Sequence, residues 1–344
     1  MASFSTVYDL ATQGNTTQLK DYLKAHKDDE DFLTSYVTYQ REEDGDTALH
    51  AACRNGSMGC ARALLLAGHP WNAVNKAGVT AAEVAEASGH PDLWELVVEE
   101  GVRVEMIMGL LGRKESSSEQ GDATKSVPNQ EYLEQSLTYT EDRLVDADGL
   151  GVMLGWEEPL MRRHAELLCP RPGLDVLNVG FGLGLIDEHL QRLQPRSHTI
   201  IEAHPDVYQH MLDKGWDKRP GVRILYGRWQ DVLPQLAGED FDAIYFDTYG
   251  EFYADMREWH EEVTNLLRPE GTYSFFNGLA ATNPVFHEVS CRLAEADLRG
   301  MGLITTWETM PMDPKEEEEK NWGGLNGRYW TLKEYRLPTC RFDL

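Results

Sequence analysis

Three sets of residues in this 344-residue chain are spaced for chemistry. The first is the glycine run Gly180-Phe181-Gly182-Leu183-Gly184, which follows an apolar stretch at 174–179. A strand that ends in glycines and turns into a helix brings backbone N–H groups close to a ligand. The second is Glu202, 22 residues beyond Gly180 at the end of another apolar stretch. A carboxylate there accepts hydrogen bonds from both hydroxyls of a ribose. The spacing is GxGxG, with Leu185 where a dinucleotide loop has its third glycine. Loop and acid together suit an adenosine-bearing cofactor, and either NAD or S-adenosylmethionine would satisfy them. The third is Asp247, which ends the run Ala243-Ile244-Tyr245-Phe246. An acid at the carboxyl edge of a sheet can hold the substrate of an enzyme that alkylates nitrogen; capping a turn is the plainer role.

Two segments border these groups. The turn Gly227-Arg228-Trp229-Gln230-Asp231 offers an aromatic ring and an amide beside an adenine position. The string 151–161 sets Met153, Trp156, Glu157, Glu158 and Met161 around the start of a helix at 160–168. Glu158-Pro159 is ordinary helix-start chemistry, which accounts for one of the two acids.

Holding such groups together requires a sheet. Apolar runs at 174–179, 198–202, 222–225, 241–246 and 272–276 alternate with helical stretches at 185–193, 206–214, 255–267 and 285–297. This alternation predicts an α/β domain, a parallel sheet with helices on both faces. Segments 304–307 and 329–335, rich in Thr, Tyr and Trp, can add an antiparallel pair at the sheet edge.

The first third reads differently. Gly45-Asp46-Thr47-Ala48-Leu49-His50-Ala51-Ala52 and Gly78-Val79-Thr80-Ala81-Ala82-Glu83-Val84-Ala85 lie 33 residues apart, as do Gly56 and Gly89. That period and pattern resemble the ankyrin repeat. Thr47 and Thr80 are placed to cap helices, Ala51, Ala52 and Ala85 allow close stacking, and Leu64, Leu65 and Leu66 supply a second helix ended by Gly68. A degenerate unit precedes them around Tyr8, Leu19 and Leu23. Gly14 to Gly56 is 42 residues, nine more than one period, and the extra residues are expected in a loop around 28–44. The last helix pair is expected to end near Leu93, Trp94, Leu96 and Val97. Residues 112–130 are polar without apolar periodicity and read as a linker. The division is therefore an all-α module at 1–111, the linker, and the α/β domain at 131–344. Glu316-Glu317-Glu318-Glu319 reads as a solvated loop or a docking surface for a basic substrate.

Composition narrows the partners. The formal charge is −26, from 32 Lys+Arg against 58 Asp+Glu, which argues against nucleic acid and suits a basic protein or plain solubility. No run of 18 apolar residues suggests a membrane span, and Met1-Ala2-Ser3-Phe4-Ser5-Thr6 shows no secretory pattern. Cys53, Cys60, Cys169, Cys291 and Cys340 form no CxxC, and no HExxH occurs, so neither a metal nor a disulfide framework is expected. The cysteines read as reduced thiols in an intracellular protein.

The motifs Val152-Met153-Leu154-Gly155-Trp156-Glu157-Glu158-Pro159-Leu160-Met161, Val176 to Ile186, Ile200-Ile201-Glu202-Ala203-His204, Gly227 to Val232 and Phe241 to Tyr249 resemble guanidinoacetate N-methyltransferase in order and spacing. With ankyrin repeats in front, the chain looks like the fungal type IV protein arginine delta-N-methyltransferases. The fold implied is a Rossmann-like class I S-adenosylmethionine methyltransferase domain preceded by the ankyrin module. The resemblance implies that Glu157 and Asp247 grip the guanidino substrate. It sets Met153 and Met161 beside the cofactor, with the glycine loop from Phe181, Gly182, Leu183 and Gly184 to Leu185 and Ile186. Glu202, Ala203 and His204 would serve the ribose, Trp229 and Gln230 the adenine, and Tyr132 would cover the cofactor. Departures occur at Glu158-Pro159-Leu160, where the small-molecule enzyme has Thr-Pro-Tyr, and at Gly250-Glu251; both suit a peptide arginine.

The implied reaction moves a methyl group from a sulfonium to the internal guanidino nitrogen of a protein arginine, with a ribosomal protein as the expected substrate. The resemblance also implies action in the cytoplasm and nucleus, and the ankyrin repeats imply a protein partner. Rival readings are a small-molecule guanidine methyltransferase and a non-catalytic ankyrin scaffold.

Overall fold

The computed structural model describes residues 4–118, 130–140, 142–249, 253–312 and 321–343. The chain divides into two compact units, Met1–Gln120 with Asn283–Leu293, and Gly121–Thr282 with Ala294–Leu344.

The first unit is a stack of helices: α1 (Phe4–Thr12), α2 (Thr16–Ala25), α3 (Glu30–Thr38), α4 (Ala48–Arg54), α5 (Met58–Leu66), α6 (Ala81–Ala87) and α7 (Pro91–Ser118). Thr47 and Thr80 cap α4 and α6. Each hydroxyl accepts the N–H three residues on, while the His50 and Glu83 side chains reach back to complete a reciprocal cap. Ala51, Ala52 and Ala85 are buried between helices, and Leu64 and Leu65 join them while Leu66 faces solvent. The region expected as a loop at 28–44 instead holds α3. Asp29 caps it by accepting the Phe32 N–H at 3.0 Å, and Phe32 and Tyr36 are buried. Helix α7 also runs on past 97 into the polar stretch, to Ser118. After Pro91 it contains no proline, and its Glu, Leu, Met, Arg and Lys are good helix formers. Residues 119–129 of the expected linker lie outside the described residues. Segment Asn283–Leu293 packs within this unit. Phe286 meets the Trp71 ring edge-on at 5.6 Å, and Arg292 donates two hydrogen bonds to Glu95, at 2.5 and 2.9 Å.

The second unit begins with α8 (Gln130–Glu134) and a small antiparallel sheet of β1 (Thr138–Tyr139), β2 (Arg143–Val145) and β3 (Gly151–Leu154). Strands this short leave no readable alternation, which is why the sequence did not reveal them. There follow α9 (Glu158–Leu168), β4 (Asp175–Val179), α10 (Leu185–Arg192), β5 (Ser197–Glu202), α11 (Pro205–Asp213), β6 (Val222–Tyr226), α12 (Trp229–Val232) and β7 (Phe241–Phe246). The unit is completed by α13 (Tyr253–Leu266), β8 (Leu267–Phe275), α14 (Pro284–Gly300, which begins in the first unit), β9 (Leu303–Pro311) and β10 (Glu334–Phe342).

The seven-stranded sheet has the order β6-β5-β4-β7-β8-β10-β9. The first five strands are parallel, and β10 pairs antiparallel with both β8 and β9. This is the Rossmann-like arrangement, with the antiparallel pair at the edge as the sequence suggested. Strand β10 starts only at Glu334, so 329–333 are loop and not strand. Strand order reverses between β4 and β7, and in open α/β sheets ligands bind outside the carboxyl ends of strands at such a point. Val179 pairs with both Ile201 and Phe246, so β4, β5 and β7 end together there. One apolar core joins Leu177, Val179, Phe246, Trp259 and Tyr273. A second joins Val176, Met161, Phe181, Ile200 and Tyr245.

Candidate active site

The glycine loop is set by backbone conformation. Gly180, Gly182 and Gly184 have φ of 92°, 55° and 73°, a region that side chains with a Cβ rarely enter. A Cβ on Gly180 would lie 1.8 Å from the Asp247 carbonyl oxygen, and one on Gly182 would lie 2.9 Å from the Met153 sulfur. The loop therefore presses against the Asp247 backbone on one side and Met153 on the other. The Leu183 N–H donates to Met153 Sδ at 3.3 Å, and the Asp247 N–H donates to Val179 O at 2.9 Å.

Glu202 closes β5 and is buried. Its Oε2 accepts the Phe181 N–H at 2.8 Å and its Oε1 the His204 N–H at 2.7 Å. Burial pushes its carboxyl above the usual range, and these backbone N–H groups pull it down. The backbone N–H groups of Ala203 and Gly182 act on the same carboxylate in the same direction. His204 Nδ1 accepts the Asp206 N–H at 3.1 Å, and its Nε2 faces the carbonyls of Tyr132 (3.2 Å) and Gln135 (3.1 Å). The proton thus sits on Nε2. The Tyr132 ring lies 5.0 Å from His204 and 4.4 Å from Tyr249, whose hydroxyl donates to Asp146 at 2.9 Å. Tyr139 donates to Gly182 O at 3.2 Å. The 130–139 segment is thereby fastened to the glycine loop and to the end of β5.

Ile186 is buried in α10, while Leu185 opens that helix half-buried; Ala203, between Glu202 and His204, is half-buried too. Met161 is fully buried and its Sδ accepts the Tyr245 hydroxyl at 3.3 Å. Trp229 is a core residue edge-to-face with Trp259 at 5.3 Å, its Nε1 buried without a partner among the described residues. Gln230 is half-buried.

Glu157 closes a 3-10 turn, Gly155–Glu157, that leads into α9. That helix buries Leu160, Met161, His164, Ala165 and Leu168, one helical stripe. His164 pins it: Nδ1 donates to Ser274 Oγ at 2.7 Å in β8, and Nε2 accepts from Tyr335 at 2.8 Å in β10. Ser274 passes its own proton to Pro338 O, at 2.5 Å, and Tyr335 accepts the Asn277 N–H, at 3.0 Å, which fixes these directions. Burial holds the imidazole neutral, at about 3.

The Glu157 side chain is 2% exposed. Its Oε1 accepts the Leu154 N–H at 2.8 Å and the Tyr329 hydroxyl. Oε2 has no hydrogen bond among the described residues. Burial raises its carboxyl from the ordinary 4.5 to about 7, against the lowering effect of Tyr329 and Leu154. Asp247 Oδ2 is buried with no partner among the described residues. Burial lifts this carboxyl well above the carboxylate range, with further lift from the charges of Glu157 and Asp187. Asp187 itself accepts a hydrogen bond from Asn178 at 2.8 Å, and His198 Nε2 lies 3.0 Å from it. Two mutually repelling carboxylates with open oxygens are complementary to a forked cation.

Sequence reasoning missed Tyr329 by treating it as strand. Its signal was compositional: Trp322, Tyr329 and Trp330 crowd into nine residues. Residues 250–252 and the Glu316–Glu319 run lie outside the described residues. Among the described residues no three His, Cys, Asp or Glu converge to hold a metal. The five cysteines are buried thiols outside any disulfide, and among the described residues no helix is long and apolar enough to cross a membrane.

A methyltransferase that takes its methyl group from S-adenosylmethionine is the class this fold and this cofactor cradle define. Residues 123–282 match the family model described as guanidinoacetate N-methyltransferase, and residues 9–107 match ankyrin repeats (3 copies). A relative named protein arginine N-methyltransferase 2, from Aspergillus oryzae, is 38% identical over 321 residues, covering 82% of this chain and 77% of the relative. Its namesake from Cryptococcus neoformans is 37% identical over 339 residues, covering 89% and 88%. The chain belongs to the protein arginine N-methyltransferase 2 family. Among solved structures, an O-methyltransferase from Streptomyces achromogenes in complex with S-adenosylmethionine aligns at a TM-score of 0.38 and 18% identity, covering 54% of this chain and 79% of that one.

Proposed function

We propose that this enzyme methylates the internal, delta nitrogen of an arginine side chain in a basic protein, with a ribosomal protein as the expected substrate. The observation that carries the guanidinium part is the pair of open acceptors: Asp247 Oδ2, buried where the Asp247 backbone abuts Gly180, and Oε2 of Glu157, whose charge acts on Asp247. Bound S-adenosylmethionine supplies an electrophilic methyl group on a sulfonium. The cradle of Phe181, Gly182, Leu183 and Gly184 with Glu202 and Tyr132 would hold it.

Arginine is cationic at neutral pH and its nitrogen lone pairs are delocalised, so it needs both orientation and a proton acceptor. Glu157 and Asp247 accept its N–H groups and aim one nitrogen at the methyl carbon. Before arginine binds, their repulsion favours retaining a proton; the arriving cation replaces that proton. When the methyl group passes to the nitrogen, the S–CH3 bond would break with its electrons left on the sulfur as a neutral thioether, and Asp247 would accept the proton that the nitrogen sheds. A carboxyl lifted above its ordinary range suits that task better than an ordinary one. The delta assignment draws on the resemblance of ankyrin repeats plus this domain to the type IV enzymes. The charge of −26 supports a basic substrate, and action in the cytoplasm and nucleus belongs to the same reading.

The test is methylation with isotopically labelled S-adenosylmethionine in a fungal extract lacking the endogenous enzyme, read by mass spectrometry. Label on the internal nitrogen of an arginine in one protein is the expected result. Label on a terminal nitrogen refutes the delta assignment, and label on a free guanidino compound alone refutes the protein substrate.

A further inference from the structure

The loop from 321 to 333 is fastened at both ends within its unit. The Asn326 N–H donates to Gly149 O at 2.8 Å and its Nδ2 to Asp148 O at 2.7 Å, while Arg143 donates to Gly323 O at 2.6 Å. On the other side, the Thr331 N–H donates to Ala281 O at 3.0 Å and its hydroxyl to Thr282 O at 3.1 Å. Tyr329 lies between these anchors. Its ring is 5.8 Å from Trp156 and 5.0 Å, edge-on, from Trp322. Gly151 leaves it room, since a Cβ there would lie 3.1 Å from the ring. So fixed, its hydroxyl donates to Glu157 Oε1, with the Trp156 side chain also bearing on it.

We propose that Tyr329 is a positioning residue for arginine: by fixing Glu157 through Oε1, it turns Oε2 toward the substrate nitrogen beside Asp247. This rests on the guanidinium reading above. A carboxylate can rotate, and the Leu154 N–H alone restrains it at one point. The phenol adds a second restraint on the same oxygen and keeps the other oxygen free. A phenol donating to a carboxylate also favours its ionised form, the form a cation needs. The Leu154 N–H and Tyr329 bear on Glu157, whose charge in turn acts on Asp247 and on the Tyr245 hydroxyl, as does that of Asp187. Burial first, then the charges of Glu157 and Asp247, hold the proton on Tyr329.

The experiment titrates N-acetyl-arginine amide by calorimetry into the full chain saturated with S-adenosylhomocysteine, from about pH 5.5 to 9. It compares the wild-type protein with Tyr329→Phe and Glu157→Gln. Wild-type affinity is expected to rise with pH through about 7. Tyr329→Phe keeps the ring and its packing, so S-adenosylhomocysteine affinity stays as in wild type. Probe affinity at neutral pH falls about tenfold and the rise moves up by about one pH unit, the scale of one hydrogen bond to a charged group. Glu157→Gln loses the Glu157 part of the rise. A Tyr329→Phe curve that superimposes on wild type overturns the proposal. A wild-type protein that fails to bind the probe at any pH refutes the guanidinium reading, and the proposal with it, before any substitution is compared.

Discussion

Replacing Glu157 with glutamine should damage catalysis and relieve the fold at once. The amide oxygen still accepts from Leu154 and Tyr329, so the local geometry is preserved while the charge is removed. In the unfolded chain this carboxyl ionises above about 4.5, and in the folded chain only above about 7. Folding therefore takes up a proton between those values, and stability falls as pH rises through that window. Between about pH 5 and pH 8 this one group accounts for roughly 2–3 kcal/mol of lost stability. The measurement is urea unfolding of both proteins at the two pH values. The variant should lose less stability than wild type across the interval, and at pH 8 it should be at least as stable. Because Glu157 also lifts Asp247, the flattening extends to that group in the same direction. Turnover on an arginine substrate should fall about a hundredfold, the value of one charge-assisted hydrogen bond. Equal pH slopes for the two proteins would refute the reasoning, whatever the turnover.

Three further substitutions separate the parts of the site. Asp247→Asn should lower turnover by about three orders of magnitude, the range of a lost proton acceptor, while cofactor affinity by calorimetry stays unchanged. Near-normal turnover would remove Asp247 from the chemistry. Glu202→Ala should weaken S-adenosylmethionine binding about ten- to a hundredfold by removing a charged acceptor and releasing the Phe181 and His204 N–H groups; unchanged affinity would refute its ribose role. Gly180→Ala sets a Cβ against the Asp247 carbonyl at a φ of 92°. It should cost several kcal/mol, about the scale of a severe backbone conflict, and abolish cofactor binding. A protein that melts and binds cofactor normally would show that the loop can give.

The sequence carried its information where a local rule has physical force. The glycines at positive φ, the capping threonines and the five parallel strands were all legible, because φ, capping and alternating apolar runs act within a few residues. Helix α3 was hidden because its cap, Asp29, sits in a charged run that resembles a loop; only the burial of Phe32 and Tyr36 reveals the helix. Strands β1 to β3 were too short to show a period. Tyr329 was missed for a different reason. It meets Glu157 across 172 residues of sequence, and no local pattern encodes that pairing. The His164 relay to Ser274 and Tyr335 was equally invisible, as its partners lie 110 and 171 residues away.

Strand β10 lies between β8 and β9 although it is made after both. A ribosome that has reached only Pro311 has already delivered the glycine loop, Glu202, Glu157 and Asp247. It has delivered neither Tyr329 nor the strand through which β9 joins the sheet, and α9 still lacks the Tyr335 end of its relay. During synthesis β9 has no neighbour to pair with and must wait, which favours late, concerted closure of that edge. A chain interrupted there would carry the cofactor cradle without the finished wall of the substrate site. Closure of that edge is thus tied to synthesis through Phe342, the last residue of β10 to pair with β9.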